Sequence, residues 1–192
     1  MAQHLVTTDR VTPDAYLATS RDAEQKLVLW DGEVFAMAGA SRRHNLLVAA
    51  VLGELRARLA GSGCAPYASD QRVRLPGGGR YVYADATVAC RPVESDPLDA
   101  QTITNPRVLV EVLSDSTEAF DRGAGFIAYR ELPSLTDYLL LSQHEARVEH
   151  YERAADGDWL LRTSTAGGEV VLASVGVRLP VDELYEGVLD EA

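Results

Sequence analysis

Two carboxylates stand in stretches otherwise suited to a protein interior. Asp85 interrupts Tyr81-Val82-Tyr83-Ala84-Asp85-Ala86-Thr87-Val88-Ala89-Cys90, and Glu111 interrupts Arg107-Val108-Leu109-Val110-Glu111-Val112-Leu113. Both runs are short, rich in β-branched and aromatic residues, and bounded by Gly77 to Gly79, Pro92, Pro97 and Pro106, which predicts strands. In the second, Val108, Val110 and Val112 point one way, and Leu109, Glu111 and Leu113 the other. A strand apolar on both faces is buried on both faces. An unpaired carboxylate there costs several kcal/mol, so Glu111 needs a cation, a proton or a metal. Asp85 poses the same problem in the neighbouring strand. Two such acids can converge on one divalent ion of the magnesium type, which takes oxygen ligands. The competing reading is a salt bridge to one of the arginines, or exposure at a strand end.

The elements that would position these acids can be read in order. Thr12-Pro13 caps and opens a short helix. Lys26 to Trp30 and Glu33 to Ala38 form a hairpin about Asp31-Gly32, which puts Glu33 just past the turn, where a solvated residue is the simplest reading. Ser41 caps a helix from Arg42 to about Ala60, with His44 in its first turn as a capping or surface residue that could also face a site near Glu33. Cys64 to Ser69 and Arg72 to Leu75 read as a strand pair or one bent strand, and Arg91 to Pro106 as a mobile proline-bearing loop. A helix from about Glu118 to Leu132 follows, then strands over Leu135 to Leu141, Arg147 to Arg153, Asp158 to Arg162 and Glu169 to Leu172, and a short helix at Pro180 to Tyr185. Strands flanked by helices predict an α/β fold with a mixed sheet.

Composition narrows the function. At 192 residues, with 46% hydrophobic and 24% charged residues, residues 1–192 read as one globular domain. No apolar run reaches the ~20 residues of a membrane helix and no leader is evident, so the expected location is the cytoplasm. Cys64 and Cys90 lack metal-ligand spacing and read as reduced core residues. Pro76-Gly77-Gly78-Gly79 has no phosphate-loop spacing, which rejects a nucleotide site. The net charge of −11, from 29 acids and 18 bases, argues against a surface that lives by non-specific phosphate contacts; DNA binding would need a local basic groove or a bound metal. Lys26 is the only lysine.

Taken together, Asp31-Gly32-Glu33, His44-Asn45, Ser69-Asp70-Gln71-Arg72-Val73-Arg74, the Asp85 run, Leu109-Val110-Glu111-Val112-Leu113-Ser114, Asp121-Arg122-Gly123 and Tyr129 resemble the small restriction endonucleases of the Uma type, within the PD-(D/E)XK nuclease-like superfamily. The resemblance covers residues 27–153. It implies a restriction-endonuclease-like core, with the N-terminal helix and the C-terminal strands and short helix as additions. It also implies a Mg2+- or Mn2+-dependent endonuclease hydrolysing DNA phosphodiester bonds, and suggests a homodimer. Asp85, Glu111 and the carbonyl of Val112 would hold the metal, and Glu33 would be a further acid of the site. Two positions depart from the family pattern. Ala84 replaces a proline before the aspartate. More seriously, the lysine of the family's Asp-Arg-Gly-x-Lys pattern is Gly125 here, while Leu113 occupies the superfamily's usual lysine position. Arg122 could stabilise charge but, remaining protonated, is a poor base. The alternative is therefore a catalytically inactive nuclease-like protein that binds nucleic acid or a protein partner.

Overall fold

Turn and cap chemistry set the first elements. The computed structural model describes residues 3–5, 10–37 and 39–190. After β1 (Gln3–Leu5), α1 (Pro13–Asp22) opens with Thr12 Oγ1 accepting a hydrogen bond from the Ala15 amide. β2 (Leu27–Trp30) and β3 (Glu33–Ala36) form a hairpin about Asp31 and Gly32, whose φ values of 51° and 87° are the left-handed pair that a two-residue turn requires. Ala38, placed by the sequence in the returning strand, lies outside the described residues. Ser41 caps α2 (Arg42–Arg58), its Oγ accepting from the His44 amide at 3.0 Å.

Seven strands and a broken helix carry the chain through the site. They are β4 (Cys64–Ala68), β5 (Val73–Arg74), β6 (Arg80–Val82), β7 (Ala86–Cys90), β8 (Ser95–Asp96), β9 (Asp99–Ile103), β10 (Pro106–Val112) and a broken helix. That helix consists of α3 (Glu118–Phe120), a π-helical turn (Asp121–Gly125) and α4 (Phe126–Tyr129). The chain then forms β11 (Asp137–Leu141), β12 (Arg147–Arg153), β13 (Trp159–Thr165), β14 (Glu169–Leu172), β15 (Val177–Pro180) and α5 (Val181–Tyr185).

Two large mixed sheets result. One runs β1-β3-β2-β6-β5-β9-β8 and the other β13-β12-β11-β10-β7-β4, with β14 and β15 as a separate hairpin. β10 lies inside the six-stranded sheet, antiparallel to β7 and parallel to β11. Its alternation is the one expected: Val108, Val110 and Val112 face a core with Leu47, Val51 and Leu55 of α2. Leu109 and Leu113 face a second core with Tyr129, Tyr138 and Leu140, to which the seven-stranded sheet adds Val73 and Val82. Each fully buried Leu or Val contributes roughly 1.5–3 kcal/mol, so both faces of β10 are firmly held. The flanked mixed sheet is thus present, with a second sheet beside it.

The structure corrects several expectations. The Tyr81–Cys90 run is two strands in different sheets, with Asp85 at the bend between β6 and β7. The strands near Cys64 and Arg72 likewise part, β4 joining one sheet and β5 the other. Residues 91–106 are an ordered arm whose strands β8 and β9 extend the seven-stranded sheet. The single helix expected near residues 118–132 is interrupted because Gly123 takes a non-helical φ of −111° and ψ of −106°. Cys64 and Cys90 are not reduced: directly opposed on β4 and β7, they form a disulfide. Spacing along the chain could not reveal that cross-strand register.

Candidate active site

Burial of Glu111 in the middle of a sheet fixes the site. Its Oε1 accepts a hydrogen bond from the Tyr129 hydroxyl at 2.9 Å, and its Oε2 lies 3.4 Å from the Asp85 amide. Asp85 reaches back across the same gap: its Oδ2 accepts from the Val112 amide at 2.8 Å and stands 3.0 Å from His44 Nε2. The two acids are therefore laced together by backbone as well as by proximity. Asp121, 6% exposed at the start of the π turn, completes a set of three neighbouring carboxylates.

Electrostatics show that this cluster is short of positive charge. Burial, then the charges of Asp121 and Asp85, push the Glu111 carboxyl well above the usual carboxylate range. Burial likewise raises Asp121, to about 6; the Thr117 hydrogen bond opposes that rise, the Asp85 charge adds to it, and His44 and Arg122 oppose it. Among the described residues, no Lys, Arg or His forms an ion pair with Glu111 or Asp121. This decides against the arginine salt bridge as the answer to Glu111.

The family-implied metal can be tested against this donor set. Carboxylate oxygens are the ligands a hard divalent cation prefers, and the half-buried Asp85 beside the buried Glu111, which has no ion-pair partner among the described residues, fits one. Among the described residues, no three His, Cys, Asp or Glu side chains stand as a ready-made coordination cluster. The fit therefore rests on the Asp85–Glu111 pair, with Asp121 supplying further negative field. Such an ion supplies an acidified water and neutralises charge on a phosphate.

The remaining sequence candidates are placed elsewhere. Glu33 is exposed at the start of β3, in the other sheet, and the charges bearing most on Glu111 and Asp121 do not include it. Arg122 directs its guanidinium to Glu118 and Glu149, each at 2.7 Å, and influences Asp121 only through its charge. Lys26 is engaged 2.7 Å from the Ser69 carbonyl and 2.6 Å from Asp70. Val112 meets Asp85 through its amide.

Sequence reasoning favoured His44 as a cap or surface residue, with a site near Glu33 as the alternative, and gave Asp121 no role. His44 is in the first helical turn, but its ring turns inward to Asp85, and its Nδ1 is buried without a hydrogen-bond partner among the described residues. Asp121 was visible in the Asp-Arg-Gly motif; nothing in the sequence showed that a π turn would swing it toward β10.

The fold is that of a nuclease-like protein. The chain superposes with a TM-score of 0.76 on the crystal structure of "a putative nuclease belonging to DUF820" from Anabaena variabilis, covering 93% of this chain and 99% of that one at 13% identity. Its residues 13–182 match the model of the Uma2 family, described as "Putative restriction endonuclease", and the chain belongs to that family. It is also similar to two uncharacterised proteins of Synechocystis sp. The first, slr1290, is 34% identical over 179 residues, covering 93% of each chain. The second, sll1609, is 33% identical over 157 residues, covering 82% of this chain and 89% of that one.

Proposed function

We propose that this protein hydrolyses DNA phosphodiester bonds with Mg2+ or Mn2+ held by Asp85 and Glu111. The observation that carries the reading is Glu111, buried beside Asp85 and Asp121 with no ion-pair partner of its own among the described residues, at the bend and strand that the family resemblance singles out. Tyr129 orients Glu111 through its hydroxyl, and His44 orients Asp85 through Nε2. The carbonyl of Val112 is proposed as a further ligand. Asp121 tunes the field around the pair. Arg122 acts at a distance through charge, and Glu33 serves as an outer acid on the hairpin.

A second reading is favoured by Gly125 at the expected lysine position, together with the engagement of Lys26 at Ser69 and Asp70. On that reading the protein binds DNA without cutting it. Nicking of supercoiled plasmid with Mg2+ or Mn2+ separates them when native protein is run beside Asp85→Ala. Cleavage that disappears in the variant supports the metal-dependent enzyme. Cleavage that persists there removes Asp85 from the site, and absence of nicking in native protein supports the non-cleaving binder.

A further inference from the structure

Next to the carboxylates lies an open cavity of about 560 Å³, walled by the start of α2 and by the segments leaving β10 and β11. Arg42 and Arg43 enter it from α2, whose first turn contains no acid. Arg42 is exposed and has no side-chain partner among the described residues, while Arg43 also reaches the Leu189 carbonyl at 3.2 Å. The acid in the wall, Asp115, is answered by His144 at 3.1 Å.

The cavity is physically tied to the site. Gln143, 8% exposed, accepts a hydrogen bond from Ser41 and donates one to the Leu113 carbonyl at 2.6 Å. It thereby joins the start of α2 to the strand that bears Glu111. On the other side, His44 follows Arg43 directly and contacts Asp85.

We infer that this cavity receives a backbone phosphate of the DNA strand, held by Arg42 and Arg43, beside the phosphate at Asp85 and Glu111. The inference rests on the DNA substrate of the proposed function and is independent of whether the strand is cut. Guanidinium groups match phosphate with paired N–H donors. A protein of net charge −11 gains nothing from its global field near DNA, so the strand needs a local basic foothold close to the acids. Ser114 lies three residues beyond Glu111, roughly 10 Å along extended chain. B-DNA rises only about 3.4 Å per nucleotide along its axis, so a strand seated at the carboxylates has neighbouring phosphates to offer the cavity.

The test is binding of a labelled DNA duplex by fluorescence anisotropy in EDTA across a salt series, for native protein, Arg42→Glu and Arg56→Glu. An acidic residue in the first turn suits the helix dipole, so Arg42→Glu should fold normally. It is expected to bind several-fold more weakly at low salt, with the slope of log K against log salt shallower by about 0.9. Arg56 is exposed at the far end of the same helix, about 20 Å away, and its reversal changes net charge equally. Arg56→Glu should retain the native slope.

Equal losses in the two variants, or a native slope in Arg42→Glu, would overturn the site. So would a native protein that binds no duplex but is thermally stabilised by inorganic phosphate through Arg42, because the ligand would then be a free anion. Duplex binding with the expected slope change but without plasmid nicking supports the site while overturning cleavage. Nicking with an unchanged slope in Arg42→Glu overturns the site and leaves cleavage standing.

Discussion

Glu111 and Asp121 retain protons in the folded protein that they would release in the unfolded chain, because burial and neighbouring acids raise both. The native state then binds more protons than the unfolded one, and stability falls as pH rises through the window from the ordinary carboxylate range to above about 6. For Asp121, displaced from 3.8 to about 6, the loss is on the order of 3 kcal/mol in metal-free protein. Urea unfolding at about pH 5 and about pH 8 should therefore show a fall that Asp121→Asn reduces; an equal fall in the variant would refute the assignment. Added Mg2+ should raise the melting temperature more at the higher pH, since it binds the ionised acids. At this scale the sequence was informative about Glu111, whose alternating apolar neighbours demanded burial. It left His44 between a capping or surface residue and one facing a site near Glu33, because helical spacing does not say which way a first-turn ring turns.

At the scale of elements, the π turn explains why glycine stands where the family pattern has lysine. A Cβ added at Gly125 would lie 3.0 Å from both the Phe120 carbonyl oxygen and the Phe120 ring. Backbone cannot give way as a flexible side chain can. Gly125→Ala and Gly125→Lys should both be destabilised, by roughly 1–3 kcal/mol, as overpacked positions are. Thermal unfolding checks this, and a fully stable Gly125→Lys would mean that the turn relaxes easily. The same crowding makes a lysine introduced there a poor means of restoring catalysis. Residues Ala119 to Arg130 have the apolar spacing of one continuous helix, so the interruption was not legible from periodicity. Its cause lies in Gly123 and in the packing of Phe120, whose ring centroid sits 4.8 Å from that of Trp30 on the β2–β3 hairpin.

Across the whole molecule, the strands were largely legible and their partition between two sheets was not. Tyr81 to Cys90 contains no Gly or Pro and reads as one strand, so nothing but Asp85 itself marks the bend where the chain leaves one sheet for the other. The Cys64–Cys90 disulfide escaped notice for a related reason, since it depends on how β4 and β7 pair. The bend has a mechanical consequence. Asp85 stands between β6 of the seven-stranded sheet and β7 of the six-stranded one, while Glu111 lies within the six-stranded sheet, so the placement of Asp85 depends on how the two layers are seated on each other. Val73, fully buried where the seven-stranded sheet meets that core, is remote from the acids in sequence. Val73→Ala should cost roughly 1–3 kcal/mol and also weaken Mn2+ affinity measured by calorimetry. Unchanged affinity in a destabilised Val73→Ala would show that the gap between the acids is set locally. Weakened affinity would make the metal a clamp between layers, drawing two sheets into register each time it binds.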